Sequence, residues 1–120
     1  MRYEDVLPIT RQEAELAFSS NNETTICDAL IRITYHDPDW KWVQLKCLYF
    51  GKHPISEIRR LAATCVGHLA RIHGILDIDP VYSLLHELLT DPDVSGSAQD
   101  ALDDMNTYLG CVPDNCAQRQ

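Results

Sequence analysis

Ile58 to Gly74, laid against Val94 to Gly110 at a constant offset of 36 residues, repeats its apolar positions. Ile58 meets Val94, Ala62 meets Ala98, Cys65 meets Ala101, Val66 meets Leu102, Leu69 meets Met105, and the terminal glycines match. The preceding segments also correspond, because Asp37-Pro38 and Asp79-Pro80 lie 42 residues apart and each precedes an apolar stripe (Trp40, Val43, Cys47; Tyr82, Leu85, Leu89). A two-helix unit of about 40 residues, used twice behind an atypical N-terminal pair, buries its apolar face only by stacking on its neighbour. The arrangement expected is a short right-handed α-solenoid.

The punctuation between these stripes is helical. Thr10-Arg11-Gln12-Glu13 reads as a capping box and Asn21-Asn22 as a cap. The Asp-Pro pairs at 37–38, 79–80 and 91–92, with His53-Pro54 as a weaker version, read as N-caps followed by proline at the first helical position. Gly51, Gly74 and Gly110 stand where a left-handed C-terminal residue is wanted. Together these signals predict six helices over 10–18, 23–35, 38–50, 54–73, 80–90 and 93–109. No stretch alternates with period two between turn signals, so the fold class is all-α. The fourth helix carries the widest apolar stripe (Ile58, Leu61, Ala62, Cys65, Val66, Leu69, Ile72) and should be central.

A chain of 120 residues with 45% hydrophobic and 23% charged residues can form one soluble domain with its own core, here 1–120 with a polar tail over 111–120. The N-terminus lacks the basic and apolar regions of a secretory signal and no apolar run is long enough to span a bilayer, which implies a cytoplasmic protein. Of five cysteines, Cys27, Cys47 and Cys65 lie on helical stripes and read as reduced, buried small hydrophobes, while Cys111 and Cys116 fall in the tail.

The net charge of -8 is unevenly distributed. Residues 1–76 carry nine acids and nine bases, whereas residues 77–120 carry nine acids and one base, Arg119, so the second part holds the whole excess. Such a field disfavours nucleic acid and anionic membrane and speeds encounter with a basic protein surface. A solvated acidic face that confers only solubility is the competing reading.

Ile58-Arg59-Arg60-Leu61-Ala62-Ala63 through Gly67-His68-Leu69 resembles the second helix of a HEAT repeat, and Leu88-Leu89-Thr90-Asp91-Pro92-Asp93-Val94 resembles the turn between HEAT helices. A narrower set, Asp39-Trp40-Lys41-Trp42-Val43-Gln44, Ala63-Thr64-Cys65-Val66-Gly67-His68-Leu69-Ala70-Arg71-Ile72-His73-Gly74 and Asp100-Ala101-Leu102-Asp103-Asp104-Met105, is similar to small bacterial HEAT-like immunity proteins of contact-dependent growth inhibition toxins. The resemblance implies a cytosolic inhibitor of a C-terminal toxin domain, often a nuclease. It carries over no individual binding residue.

Catalytic and metal-binding patterns fail on spacing. His68 and His73 are five residues apart and diverge by about 140° on a helix, and His86-Glu87 lacks the second histidine of a zinc-protease helix. A HEAT-type hydroxylase would need several His-Glu pairs for iron, and Ser95-Gly96-Ser97 follows no strand as a nucleophile elbow would. Neither a metal nor another cofactor is expected.

Surface candidates come from the repeat alignment, which sets His68 beside Asp104, Gly67 beside Asp103 and Thr64 beside Asp100. Asp100, Asp103 and Asp104 would line one ridge of the sixth helix next to His68 and Arg71. That ridge reads either as an internal ion pair to Arg71 or as an acidic surface for a partner. Trp40 and Trp42 cannot both point inward; Trp40 fits the core stripe, and Trp42 falls beside Asp37 and Asp39 as an exposed anchor or a contact with the N-terminal pair. The candidate partner-binding residues are therefore Asp37, Asp39, Trp42, His68, Arg71, Asp100, Asp103 and Asp104. The function expected is stoichiometric neutralisation of a basic toxin domain, a nuclease, by a non-enzymatic protein that is monomeric when free. A HEAT scaffold for a host partner and a HEAT-type enzyme, such as a bilin lyase or hydroxylase, are the alternatives.

Overall fold

The first three helices each begin where a side chain takes up an orphan backbone amide, and the last three have no such side-chain cap. The computed structural model describes residues 6–110, which form α1 (Arg11–Ser19), α2 (Glu23–His36), α3 (Trp40–Phe50), α4 (Ser56–His73), α5 (Ile78–Leu88) and α6 (Ser95–Leu109), with no strand among the described residues. Thr10 Oγ1 accepts from the Glu13 amide at 3.1 Å while the Glu13 carboxylate accepts from the Thr10 amide, so the expected capping box is formed. Asn22 caps α2 through the Thr25 amide at 2.9 Å.

The X-Pro pairs act differently from expectation. Asp37 takes the amide of Asp39 at 2.8 Å, Asp91 that of Asp93 at 3.0 Å, and His53 Nδ1 that of Ile55 at 3.1 Å. In each case the residue before proline folds back onto the residue after it, a local turn that competes with direct capping. The helix then starts later. Asp39, not Asp37, caps α3 through the Trp42 amide at 3.2 Å, and Ile55 and Val94 precede α4 and α6. Pro80 lies within the first turn of α5, which follows Asp77.

Gly74 and Gly110 take the left-handed conformation (φ 66 and 77), as their positions require. Gly51 does not, with φ -63 in the right-handed region. Its glycine answers to space, since a Cβ there would stand 2.5 Å from Leu84 Cδ2.

The helices stack as hairpins in two layers, with α2, α4 and α6 side by side in one and α1, α3 and α5 in the other. The resulting particle measures 46 × 29 × 23 Å. α4 is central, packing against α2, α3 and α6, and it buries Ile58, Ala62, Cys65, Val66 and Leu69; Leu61 and Ile72 of the same stripe are half-buried. The repeat partners Val94, Ala98, Ala101 and Met105 are buried too. Each large apolar side chain so buried contributes about 1.5–3 kcal/mol, which makes this shared stripe the main adhesive of the stack.

Polar ties fix the turns. Gln44, buried on α3, donates to Asp77 Oδ2 at 2.9 Å and accepts from the Asp77 amide at 2.8 Å. Arg59 donates twice to Asp91 Oδ2 and also to the carbonyls of His53 and Pro54, clamping the α5–α6 turn onto the start of α4. Cys47 and Cys65 are buried free thiols and Cys27 is a half-buried one; Cys111 and Cys116 lie outside the described residues.

Candidate functional site

The candidate residues gather into two clusters. The first spans the α2–α4–α6 layer. Gly67 removes a side chain from the middle of α4, and α6 closes to the point where a Cβ at Gly67 would lie 3.4 Å from Ala101 Cα and 2.5 Å from Asp104 Oδ2. Asp104 therefore lodges its carboxylate over Gly67. Burial there raises its pKa above the ordinary carboxylate value, a shift that Arg71 opposes and that Asp100 and Asp103 reinforce.

On α4, one turn from Thr64, His68 packs against Tyr35 of α2 in a tilted ring contact, with centroids 5.1 Å apart and the tyrosine hydroxyl 3.4 Å from Nε2. Arg71 Nη2 donates to His68 Nδ1 at 2.9 Å. Burial first, and the Arg71 charge second, lower the His68 pKa, so the ring is held neutral with Nδ1 as acceptor.

The Arg71–aspartate ion pair, one of the two readings of the ridge, is absent among the described residues: Arg71 turns to His68 instead. The reason is register, because Asp104 sits against Gly67 rather than beside His68. Asp100 and Asp103 are exposed; Asp103 accepts from Gln99 at 3.1 Å, and neither has an ion pair among the described residues.

The second cluster lies at the α2–α3 junction, two residues beyond Tyr35. Arg11 of α1 pairs with Asp39 at 3.0 Å and Asp37 at 3.8 Å, and its guanidinium lies 4.2 Å from the Trp42 ring centroid. Hydrogen bonding from Arg11 and from the Trp42 amide holds the Asp39 carboxyl below its ordinary value.

Trp42 is half-buried and packs against the core, whereas Trp40 does not join the buried set of α3 (Val43, Gln44, Cys47, Phe50), contrary to the expected stripe. The cause is α1, whose Glu15 engages Lys46 at 2.8 Å and whose Phe18 meets Phe50 at 5.1 Å, covering the side of α3 to which Trp42 belongs. Tyr35, which the sequence placed only beside Trp42 at the helix junction, and Arg11 were not among the candidate binding residues. Both belong to the N-terminal pair, where no repeat alignment reaches; the one available signal was the basic residue inside the α1 capping box.

Among the described residues, no group of three or more His, Cys, Asp or Glu side chains is placed to hold a metal ion. No helix among them is long and apolar enough to cross a membrane. The arrangement offers charge, hydrogen bonding and half-buried aromatic surface to a macromolecule.

A chain in the crystal structure of a CDI complex from Cupriavidus taiwanensis LMG 19424 is 35% identical to this one, with a TM-score of 0.79 over 90% of this chain and 97% of that chain. The chain belongs to the CDI immunity protein family. No family model matches it, and no curated protein does. CDI denotes contact-dependent growth inhibition. The similarity extends well beyond the 38–110 segment in which the repeat is visible, so this CDI immunity fold takes in the atypical N-terminal helices as well as the repeated hairpins.

Proposed function

We propose that this CDI immunity protein binds its cognate toxin domain, a basic nuclease, and neutralises it by forming a stoichiometric complex in the cytoplasm, acting without catalysis or cofactor and as a monomer when free. The observation that carries this reading is the acidic ridge of α6, where Asp100, Asp103 and Asp104 have no ion pair among the described residues in a region that holds the whole charge excess. A nuclease holds its substrate through cationic contacts to phosphates. An acidic ridge competes for the same cations and steers the encounter.

The Tyr35–His68–Arg71 cluster supplies rigid aromatic and hydrogen-bonding surface next to that ridge, the kind of surface that anchors interfaces. Trp42, already half-buried under Arg11, contributes at the rim. The reading is tested by replacing Asp100, Asp103 and Asp104 together by Asn. Association with the toxin domain should slow and lose much of its salt dependence while the melting temperature holds. A large stability loss with unchanged affinity per folded molecule would assign the acids to the fold.

A further inference from the structure

The two seams of the α2–α4–α6 layer differ. Gly67 and Ala101 close the one between α4 and α6, whereas between α2 and α4 a groove of about 530 Å³ stays open. Its apolar lining comes from the half-buried Cys27, Ile31 and Leu61, and its carboxylates from Glu23, Asp28 and Glu57. Asp28 pairs with Arg32 at 3.1 Å and Glu57 with Arg60, yet their side chains stay 53% and 57% exposed. Both arginines are also held by backbone carbonyls, Arg32 by Leu7 and Pro8 and Arg60 by Asp93, so they cannot swing across the opening without losing those bonds. Glu23 has no ion pair among the described residues.

The groove also continues into the surface already described. Ile31 and Tyr35, like Thr64 and His68, are four residues apart on their helices, so one helical turn separates its lining from the Tyr35–His68 contact. We infer that this groove is a second docking element, which receives an apolar side chain flanked by lysine or arginine on the surface of the toxin domain. The inference rests on the immunity reading and adds to it a site on the α2 side of α4, separate from the α6 ridge on its other side. An apolar slot rimmed by carboxylates accepts such a segment with its cations left at the wet edge, where they set specificity and rate, while the inserted side chain sets residence time.

Cys27 is a reporter built into the groove. In the full chain carrying Cys111→Ser and Cys116→Ser, Cys47 and Cys65 are fully buried, so N-ethylmaleimide at mildly alkaline pH reaches Cys27 first. The probe is the toxin domain encoded by the C-terminal region of the adjacent upstream reading frame. Size-exclusion chromatography first establishes whether it binds, and labelling is then followed by intact mass. Binding with Cys27 protected about tenfold or more, and affinity per folded molecule weakened about tenfold by Glu23→Lys, is the expected result. Binding with Cys27 labelled at its free rate overturns the groove and leaves the immunity reading standing. No binding at all overturns both. Protection that grows with protein concentration in the absence of the toxin domain assigns the groove to a second copy of this chain, and likewise overturns the proposal.

Discussion

Alanine at Gly67, inside α4, and at Gly51, the C-cap of α3, should affect stability differently. At Gly67, inside α4, alanine relieves the backbone-entropy penalty of glycine, worth about 0.5–1 kcal/mol. Against this stands the 2.5 Å approach of the new Cβ to Asp104 Oδ2. That atom is the far end of a flexible side chain which burial already disfavours as an anion, so it swings outward at little cost. The nearest backbone atom, Ala101 Cα at 3.4 Å, is in ordinary contact. Gly67→Ala should therefore be neutral or more stable by up to about 1 kcal/mol, with the Asp104 pKa returning toward its ordinary value.

Gly51 is the contrary case. Its φ of -63 suits alanine, but the Cβ would lie 2.5 Å from Leu84 Cδ2 and 3.1 Å from the Cys47 carbonyl oxygen. Leu84 is 3% exposed and must repack within the core, at about 1–3 kcal/mol. In a domain of this size each 1 kcal/mol moves the melting temperature by about 4 °C, so urea and thermal unfolding resolve both effects. A Gly67→Ala protein less stable than its parent by more than about 1 kcal/mol would refute the argument, because the seat of Asp104 over Gly67 would then be structural.

Arg59→Ala strands Asp91 and two carbonyls and should cost about 2–4 kcal/mol in urea unfolding. The folded-state pKa of Asp104 is raised, so its ionisation costs stability as pH rises through that value and nothing below the ordinary 3.8; Asp104→Asn should be at least as stable as the parent at neutral pH and lose the advantage in acid. The folded-state pKa of His68 is lowered, so the stability it gives is complete above the ordinary 6.5 and is lost as pH falls through the folded value; imidazole NMR should report the lowered pKa, and His68→Gln should flatten that part of the stability profile. Gln44→Leu leaves the Asp77 amide and carboxylate without their partner and should cost about 1–3 kcal/mol by thermal unfolding.

What the sequence made legible was local. The Thr10–Glu13 box, the Asn22 cap, the left-handed glycines at 74 and 110 and the buried stripe of α4 each depend on residues within a few positions, and all of them appear as read. The Asp-Pro pairs were ambiguous because an aspartate before proline can cap a helix or fold onto the next amide, and here the second bond wins at 37 and 91. Gly51 looked like its two counterparts, yet its reason is Leu84, which lies 33 residues away in sequence.

The site was legible as composition and not as geometry. The offset of 36 placed His68 beside Asp104, while packing places Gly67 there. One residue is about 100° on a helix, enough to send Arg71 to His68 instead of to a carboxylate. Trp40 was misjudged for a similar reason: it was given to the core stripe, whereas α1 covers the Trp42 side of α3, and no periodicity fixes the position of that helix.

The central claim is tested most directly by expressing the C-terminal domain of the adjacent upstream reading frame with and without this protein, then assaying growth and the nuclease activity of the purified pair. The account predicts growth arrest with the domain alone, rescue by this protein, and a 1:1 complex in which nuclease activity is abolished and returns as salt weakens association. Growth arrest that this protein fails to relieve, with no complex on size-exclusion chromatography, would contradict it.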